Sequence, residues 1–492
     1  MLTHSPPLPL FISYSLRRPL SPKDEEGALL ALQIHDRVSR IHLHASPATL
    51  DRLLAVMNRP FPVLEDLTLS SEFSGAGGPD EPSYPRLPQT FQAPHLRQLD
   101  LNRVGDVTEV GLSLLASFSG LVSLMLLGIP DSMSLPLEYL VSRLSLIPNL
   151  EHLGLGFIFD TDPDDIGGEL NVVPNMTRIS LPNLSEIFFR GDSFYLEGLA
   201  ARISSPCFKL KTFIAKFFEQ PSSTLPYLSR LILAAMELRL PVASIEFSGA
   251  RVVGPAVTIC MTDSEFNLDQ WPHFAPFQIS FRCESLGMQV ASAGKICPAL
   301  SPMLSEVATL HLNLDSAWGF WQLGQEDGIE DARWHDLLRP FCSVDKLQVD
   351  TGLMGYLSLA LCRNVNGPGP SMGILPGLRT LARPDYAHFG DAFDGFIAAR
   401  RNIGRHITKC RRPAITDESD REDEMEDEEE AKPEIGVEEE ESNDADSDME
   451  LDDSGTNDVL ESSTELDSGS DFEAELTINV INPRLCKFAL YA

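Results

Sequence analysis

The chain is short of cysteine pairs, basic residues and long apolar runs, and each shortage excludes something. Its eight cysteines stand at 207, 260, 283, 297, 342, 362, 410 and 486. No two form a CxxC pair, which removes zinc-ribbon and dithiol chemistry, and the scatter points to isolated buried thiols in a reducing compartment. No apolar run approaches the ~18 residues of a membrane span. The stretch Leu8–Ile12 is apolar, but Pro6, Pro7 and Pro9 interrupt it and no small-residue cleavage site follows, so no secretory signal is expected. Without secretion, the glycosylation patterns at Asn175 and Asn183 carry no meaning. GxSxG and HExxH signatures are missing. Ser292-Ala-Gly-Lys295 has an SxxK shape without its companion motifs. Gly287 and Gly294 have six residues between them and Ile296 follows Lys295, whereas a phosphate loop needs four and a Ser or Thr. The expectation is a non-enzyme with no cofactor and no resident metal.

Basic residues number 38 against 72 acidic ones, a net charge of −34. The imbalance is local. Residues 417–475 hold 29 acidic residues and only Arg421 and Lys432 as cations, a net −27, which leaves −7 for everything else. The rest of the chain is close to ordinary, and the acidity belongs to a tail.

What the chain does have is a repeated phrase, apolar-x-x-apolar-x-apolar. It reads Val38/Ile41/Leu43, Leu64/Leu67/Leu69, Leu96/Leu99/Leu101, Leu121/Leu124/Leu126 and Leu150/Leu153/Leu155, at intervals of 26, 32, 25 and 29 residues. It returns at Leu184/Ile187/Phe189, Leu210/Phe213/Ala215, Val242/Ile245/Phe247, Val307/Leu310/Leu312 and Val344/Leu347/Val349. Each copy predicts a short strand with one apolar face, followed by room for a helix. Such a unit cannot bury that face alone, so it stacks on its neighbours. The expected fold is α/β, a leucine-rich-repeat-like solenoid with a parallel strand spine, outer helices and irregular repeats of about 25–35 residues.

Residues 1–35 form a lead-in with a helix-like stretch at Glu25–His35, and the solenoid is expected over 36–412. Leu50, Leu53, Leu54 and Met57 share one helical face, as do Leu137, Leu140, Val141 and Leu144. Further helices are predicted over Ser193–Ile203, Leu225–Ala235, Ser285–Lys295, Asp331–Phe341, Leu353–Cys362 and Asp391–Arg401. Residues 72–90 read as a long loop. The 65 residues from Val242 to Val307 leave room for two units, with strand-like Ala256–Met261 and Gln278–Arg282 but a weaker phrase. A last strand is predicted at Leu378–Leu381. Residues 413–475, rich in Asp, Glu and Ser, are expected to be disordered, and 476–492 turn apolar again.

Residues between the large apolar ones point to the opposite side of the strand, the expected partner-binding face. The candidates are Arg40, His42, His44, Asp66, Thr68, Gln98, Asp100, Asn102, Met125, His152, Glu186, Phe188, Arg190, Lys346, Gln348 and Asp350. Mixed charge with apolar members suits a protein client better than a polyanion. His42 and His44 share a face, but no third ligand has a fixed spacing to them. Arg400, Arg401, Arg405, His406, Lys409, Arg411 and Arg412 form a basic stretch with three readings open: nucleic-acid contact, a nuclear import signal, or a partner for the tail. Aromatics are not interleaved with it, which argues against base stacking. Ser419, Ser447, Ser462, Ser468 and Ser470 each precede an acidic residue by three, the spacing an acid-directed kinase accepts.

Several strings have a familiar order. They are Pro7-Leu-Pro-Leu-Phe-Ile12, Asp24-Glu-Glu-Gly-Ala-Leu-Leu-Ala-Leu32, Asp36-Arg-Val-Ser-Arg-Ile41, Pro60-Phe-Pro-Val-Leu-Glu65 and Leu87-Pro-Gln-Thr-Phe-Gln-Ala-Pro-His-Leu96. Leu184-Ser-Glu-Ile-Phe-Phe-Arg-Gly191, Tyr195-Leu-Glu-Gly-Leu199 and Phe396-Ile-Ala-Ala-Arg-Arg-Asn-Ile-Gly-Arg405 follow. Together, over about residues 7–412, the chain resembles the F-box/leucine-rich-repeat-like proteins of mushroom-forming fungi. The resemblance implies a substrate receptor of a cullin-type ubiquitin ligase, with the repeats holding the client and an F-box holding the adaptor. The family's F-box precedes the part that matches Pro7 onward, so an adaptor is expected only with such a segment upstream. Leu135-Pro-Leu-Glu-Tyr-Leu140 is an F-box-like string, but it falls on a repeat helix. The alternative is an acidic leucine-rich nuclear protein, a histone or basic-protein chaperone working through its tail. A regulator of a small GTPase is a third layout match, without a placeable catalytic arginine. Cytoplasm, nucleus or both is the expected location. No membrane contact is expected, and nucleic acid is the less favoured partner.

Overall fold

The computed structural model describes residues 8–15, 22–72, 84–104, 115, 117–130, 135–158, 177–204, 209–220, 225–236, 239–249, 255–263, 275–315, 331–365, 374–383 and 393–411. All of these fall within one compact unit. The acidic tail with its five candidate serines, the last apolar segment and most of the 72–90 loop lie outside the described residues.

Each leucine phrase is a strand. β2 (Val38–Ala45), β3 (Asp66–Ser71), β4 (Gln98–Asn102), β5 (Ser123–Ile129), β6 (His152–Phe157), β7 (Glu186–Gly191) and β8 (Thr212–Phe217) follow one another in sequence and in space, all parallel. The register matches phrase to phrase. Ile41, Leu67, Leu99, Leu124, Leu153, Ile187 and Phe213 stand side by side, and so do Leu43, Leu69, Leu101, Leu126, Leu155, Phe189 and Ala215. Both lines are buried. A slip of one residue would turn every one of them to the other face, so burial fixes the pairing.

Seven of the strands are entered through the same turn. The N–H of Leu64 donates to the carbonyl of Phe61, and the pairs Leu96/Ala93, Leu121/Phe118, Leu150/Ile147, Leu184/Leu181, Val307/Leu304 and Leu378/Leu375 repeat it at 2.9–3.3 Å. The next N–H then bonds to the preceding unit: Glu65 to Ser39, Arg97 to Glu65, Val122 to Arg97, Glu151 to Val122, Ser185 to Glu151 and Lys211 to Ser185. This ladder satisfies backbone groups that would otherwise be orphaned below the sheet. It also lengthens the phrase to apolar-x-x-apolar-x-x-apolar-x-apolar, with Phe61, Phe118, Ile147 and Leu181 as its buried first members.

Among the described residues the sheet has fifteen strands and is mostly parallel. It begins earlier than the phrase does, at β1 (Leu10–Ser15), which pairs with β2 and buries Leu10 and Ile12. Beyond β8 the order changes. β9 (Val242–Ser248), β10 (Ala256–Thr262) and β11 (Phe277–Arg282) form an antiparallel meander laid in backwards, so that β11 touches β8 and β9 touches β12 (Thr309–Leu314). The outer two run parallel to their neighbours and only β10 opposes them. The expected room for two repeat units is therefore filled by one reversed hairpin pair. β13 (Lys346–Val349), β14 (Thr380–Arg383) and β15 (Thr408–Arg411) resume the parallel order.

Helices α1 (Pro22–Leu32), α2 (Pro47–Ala55), α3 (Leu137–Leu144), α4 (Ser193–Arg202), α5 (Pro226–Ala235), α6 (Leu286–Ile296), α7 (Asp331–Leu338), α8 (Met354–Val365) and α9 (Asp394–Asn402) add their apolar faces to the leucines in one continuous core. Ser46 caps α2 by accepting from the Thr49 N–H, with Pro47 in the first turn. α5 has no such residue of its own. Glu197 of α4 supplies the cap, accepting from the N–H groups of Tyr227 and Leu228 at 2.7 and 2.8 Å. Burial raises the Glu197 carboxyl, and these two N–H groups oppose the rise. Glu197→Ala is expected to destabilise the fold by about 1–2 kcal/mol in urea unfolding. Glu197→Gln, which keeps an acceptor, should lose less; an equal loss would show that the cap carries no weight.

Candidate functional site

The side of the sheet opposite the leucines carries the candidate residues, and the register arranges them in rows. The central row takes one residue from each strand: Ser13, His42, Thr68, Asp100, Met125, Gly154, Phe188, Ile214, Gln278, Cys260, Ser244, His311, Gln348, Ala382 and Cys410. From β2 to β8 this face is half-buried, apart from buried glycines in β6 and exposed Arg190 in β7. From β11 to β13 the same row is buried, with Gln278, Ser244, His311 and Gln348 each under 8% exposed. Gln348 is thus removed from the accessible candidates. Asp350 lies just past β13 and accepts from the Gly352 N–H at 2.9 Å, a turn-capping role. The remaining candidates on β2 to β7 share one continuous face, and Lys346 lies apart on β13.

One end of that face is ionic. His42 Nε2 lies 2.9 Å from Asp66 Oδ2, and Phe11 meets the His42 ring edge-on at 4.9 Å. Asp100 stands opposite Thr68, one strand further. Among the described residues its buried Oδ1 has no hydrogen-bond partner. Burial, and then the neighbouring Asp66 charge, push the Asp100 carboxyl up to about 6, with His42 opposing. His152 and Glu186 form a second, longer pair at 3.7 Å. Among the described residues, no three His, Cys, Asp or Glu side chains converge as a metal site.

The middle is apolar. β6 offers no side chain at Gly154 or Gly156 because Met125 and Leu127 lean across from β5. A Cβ at Gly154 would come within 2.1 Å of the Met125 sulfur, and one at Gly156 within 2.9 Å of Leu127. Gly128 holds a φ of +70°, and a Cβ there would meet the Arg103 backbone nitrogen at 2.9 Å. This is a position where only glycine fits. Beyond the glycines stand Phe188, Arg190, Ile214 and Lys216, the last two absent from the candidates. The alternation within Leu210-x-x-Phe213-x-Ala215 marks Ile214, which lies between two apolar members, while Lys216 follows the last member and is flanked by Ala215 and Phe217.

Other chemistry-bearing residues are absorbed by the fold. Ser292 of the SxxK string is fully buried on α6 and accepts from the Cys283 thiol at 3.3 Å. Burial pushes the thiols of Cys283 and Cys297 up to about 11 and about 12, and that of Cys260 well above its ordinary value, so none is a ready nucleophile. Cys342 and Cys410 are exposed instead. In the basic stretch, Arg400 is 2% exposed and donates to the carbonyls of Ile374 and Leu375. Arg405 donates to the Pro376 carbonyl and Lys409 pairs with Asp394 at 2.6 Å. Two of its cations therefore tie α9 and the residues after it to the segment that leads into β14, and a third ties β15 to α9. Among the described residues, no helix is long and apolar enough to cross a membrane.

No family model matches the chain, and no curated protein matches it either.

Proposed function

We propose that the protein is a non-catalytic recognition scaffold that lays a client polypeptide along the β2–β8 face, its strands and helices forming a leucine-rich-repeat-like solenoid. The repeated entry turn and the unit-to-unit ladder support the repeat reading. The observation that carries the function is the half-buried face itself: side chains of both charge signs flank an apolar centre, held in fixed register by a buried spine. Protein interfaces combine an apolar centre with a polar rim. The resemblance to F-box-type proteins extends the proposal to a receptor of a cullin-type ubiquitin ligase.

Site-specific photocrosslinking tests both halves. A photoreactive residue is placed at Thr68, His152 or Phe188, with Leu359, exposed on α8, as the control. In fungal extract, protein adducts are expected at the first three positions and not at Leu359. Adducts spread equally over all four would overturn the face. Adducts at the face with neither a Skp-type adaptor nor a cullin in the purified complex would leave the scaffold and remove the ligase.

A further inference from the structure

Arg190 of β7 and Lys216 of β8 stand directly opposite each other in the register. Adjacent strands are about 4.8 Å apart, and like charges so placed repel. Arg190 is exposed and Lys216 half-buried. Among the described residues neither forms an ion pair with a carboxylate. Burial lowers both cations. The Arg190 charge adds to the effect at Lys216, and the Arg103 charge adds to it at Arg190. Gly156 is the next member of the same row and places no side chain between these cations and Leu127. Two residues back along the same strands, Phe188 and Ile214 are also directly opposite each other, both half-buried. The Phe218 ring backs the Arg190 guanidinium at 5.6 Å.

A chain standing alone gains nothing from two cations abreast on a partly desolvated face. An anion between them removes the repulsion, and arginine offers a planar fork to a carboxylate. The apolar pair lies two residues from the cationic pair, about 6.6 Å along the strand. Same-side residues of an extended peptide have that spacing. We propose that this part of the face binds an extended segment of a partner protein with a carboxylate side chain two residues from a large apolar one. The carboxylate sits between Arg190 and Lys216, and the apolar group rests on Phe188 and Ile214. The inference rests on the recognition reading and adds the chemistry of the client.

The test uses the full chain and a fluorescent nonapeptide of alanines carrying one phenylalanine and, two residues on, one glutamate. Anisotropy at low ionic strength should show binding that salt weakens. Glutamine in place of the peptide's glutamate, or Arg190→Glu with Lys216→Glu in the protein, should weaken it roughly tenfold or more. The double variant should bind the peptide with lysine in place of glutamate, a swap that a misfolded protein would not show. Lys216→Glu alone pairs with Arg190 and should raise the melting temperature of the free chain. Absence of peptide binding, binding indifferent to either charge change, or equal binding of a single-stranded oligonucleotide would overturn the inference. If crosslinks persist at Thr68 and His152, only this inference falls; if they vanish too, the recognition reading falls with it.

Discussion

Trp334→Ala should cost the fold about 3–5 kcal/mol, read as a fall in the urea midpoint followed by circular dichroism. Trp334 projects from α7 and is fully buried, with its ring edge-on to Phe247 of β9 at 5.8 Å. It joins the meander, where the chain departs from its regular order, to the resumed parallel strands. Removing the indole leaves a cavity that the surrounding strands cannot close without breaking register. Among the described residues the buried indole N–H has no hydrogen-bond partner. Trp334→Phe deletes that unsatisfied donor and keeps most of the volume, so it should cost about 1 kcal/mol or less. Equal losses for the two variants would show that the site is loosely packed.

Asp100→Asn should stabilise the protein by about 2–3 kcal/mol at pH 7.5 and by almost nothing near pH 4. The carboxyl titrates at about 6 in the folded chain against an ordinary 3.8. Between those values the folded state holds more protons than the unfolded one. Stability contributed by this residue therefore rises as pH falls from about 6 to about 4, and above 6 the buried charge is a constant penalty. The asparagine amide removes the charge and with it the repulsion from Asp66. Taking the difference between variant and native chain at each pH cancels the other carboxylates. A gain of equal size at both pH values would mean that charge is not the cause.

The leucine phrase made much of this architecture legible. Ile41, Leu67 and Leu99 predict strands with a buried side, and the described helices fall on the expected stretches. β1 escaped because Leu10 and Ile12 alternate over a single short stretch beside prolines, a pattern too brief to separate from a loop. β15 escaped because its four residues, Thr408 to Arg411, read as part of a basic run. The polar face was legible on β2 to β7 for the same reason as the spine, since one alternation fixes both sides of a strand. The phrase marks Ile214 in the same way, whereas Lys216 joins the face because β8 continues to Phe217.

The sequence by itself determined the phrase-bearing strands, their apolar side and the acidic tail, because these depend on residues two to four positions apart. Only the tertiary structure decided that β9 to β11 enter in reverse. It alone decided that Arg400 and Ser292 are buried parts of the frame, that Asp100 is partly desolvated beside Asp66, and that Arg190 faces Lys216. Each of these turns on which remote segment lies alongside. The free energy of that pairing is shared between elements tens of residues apart, so no local period records it.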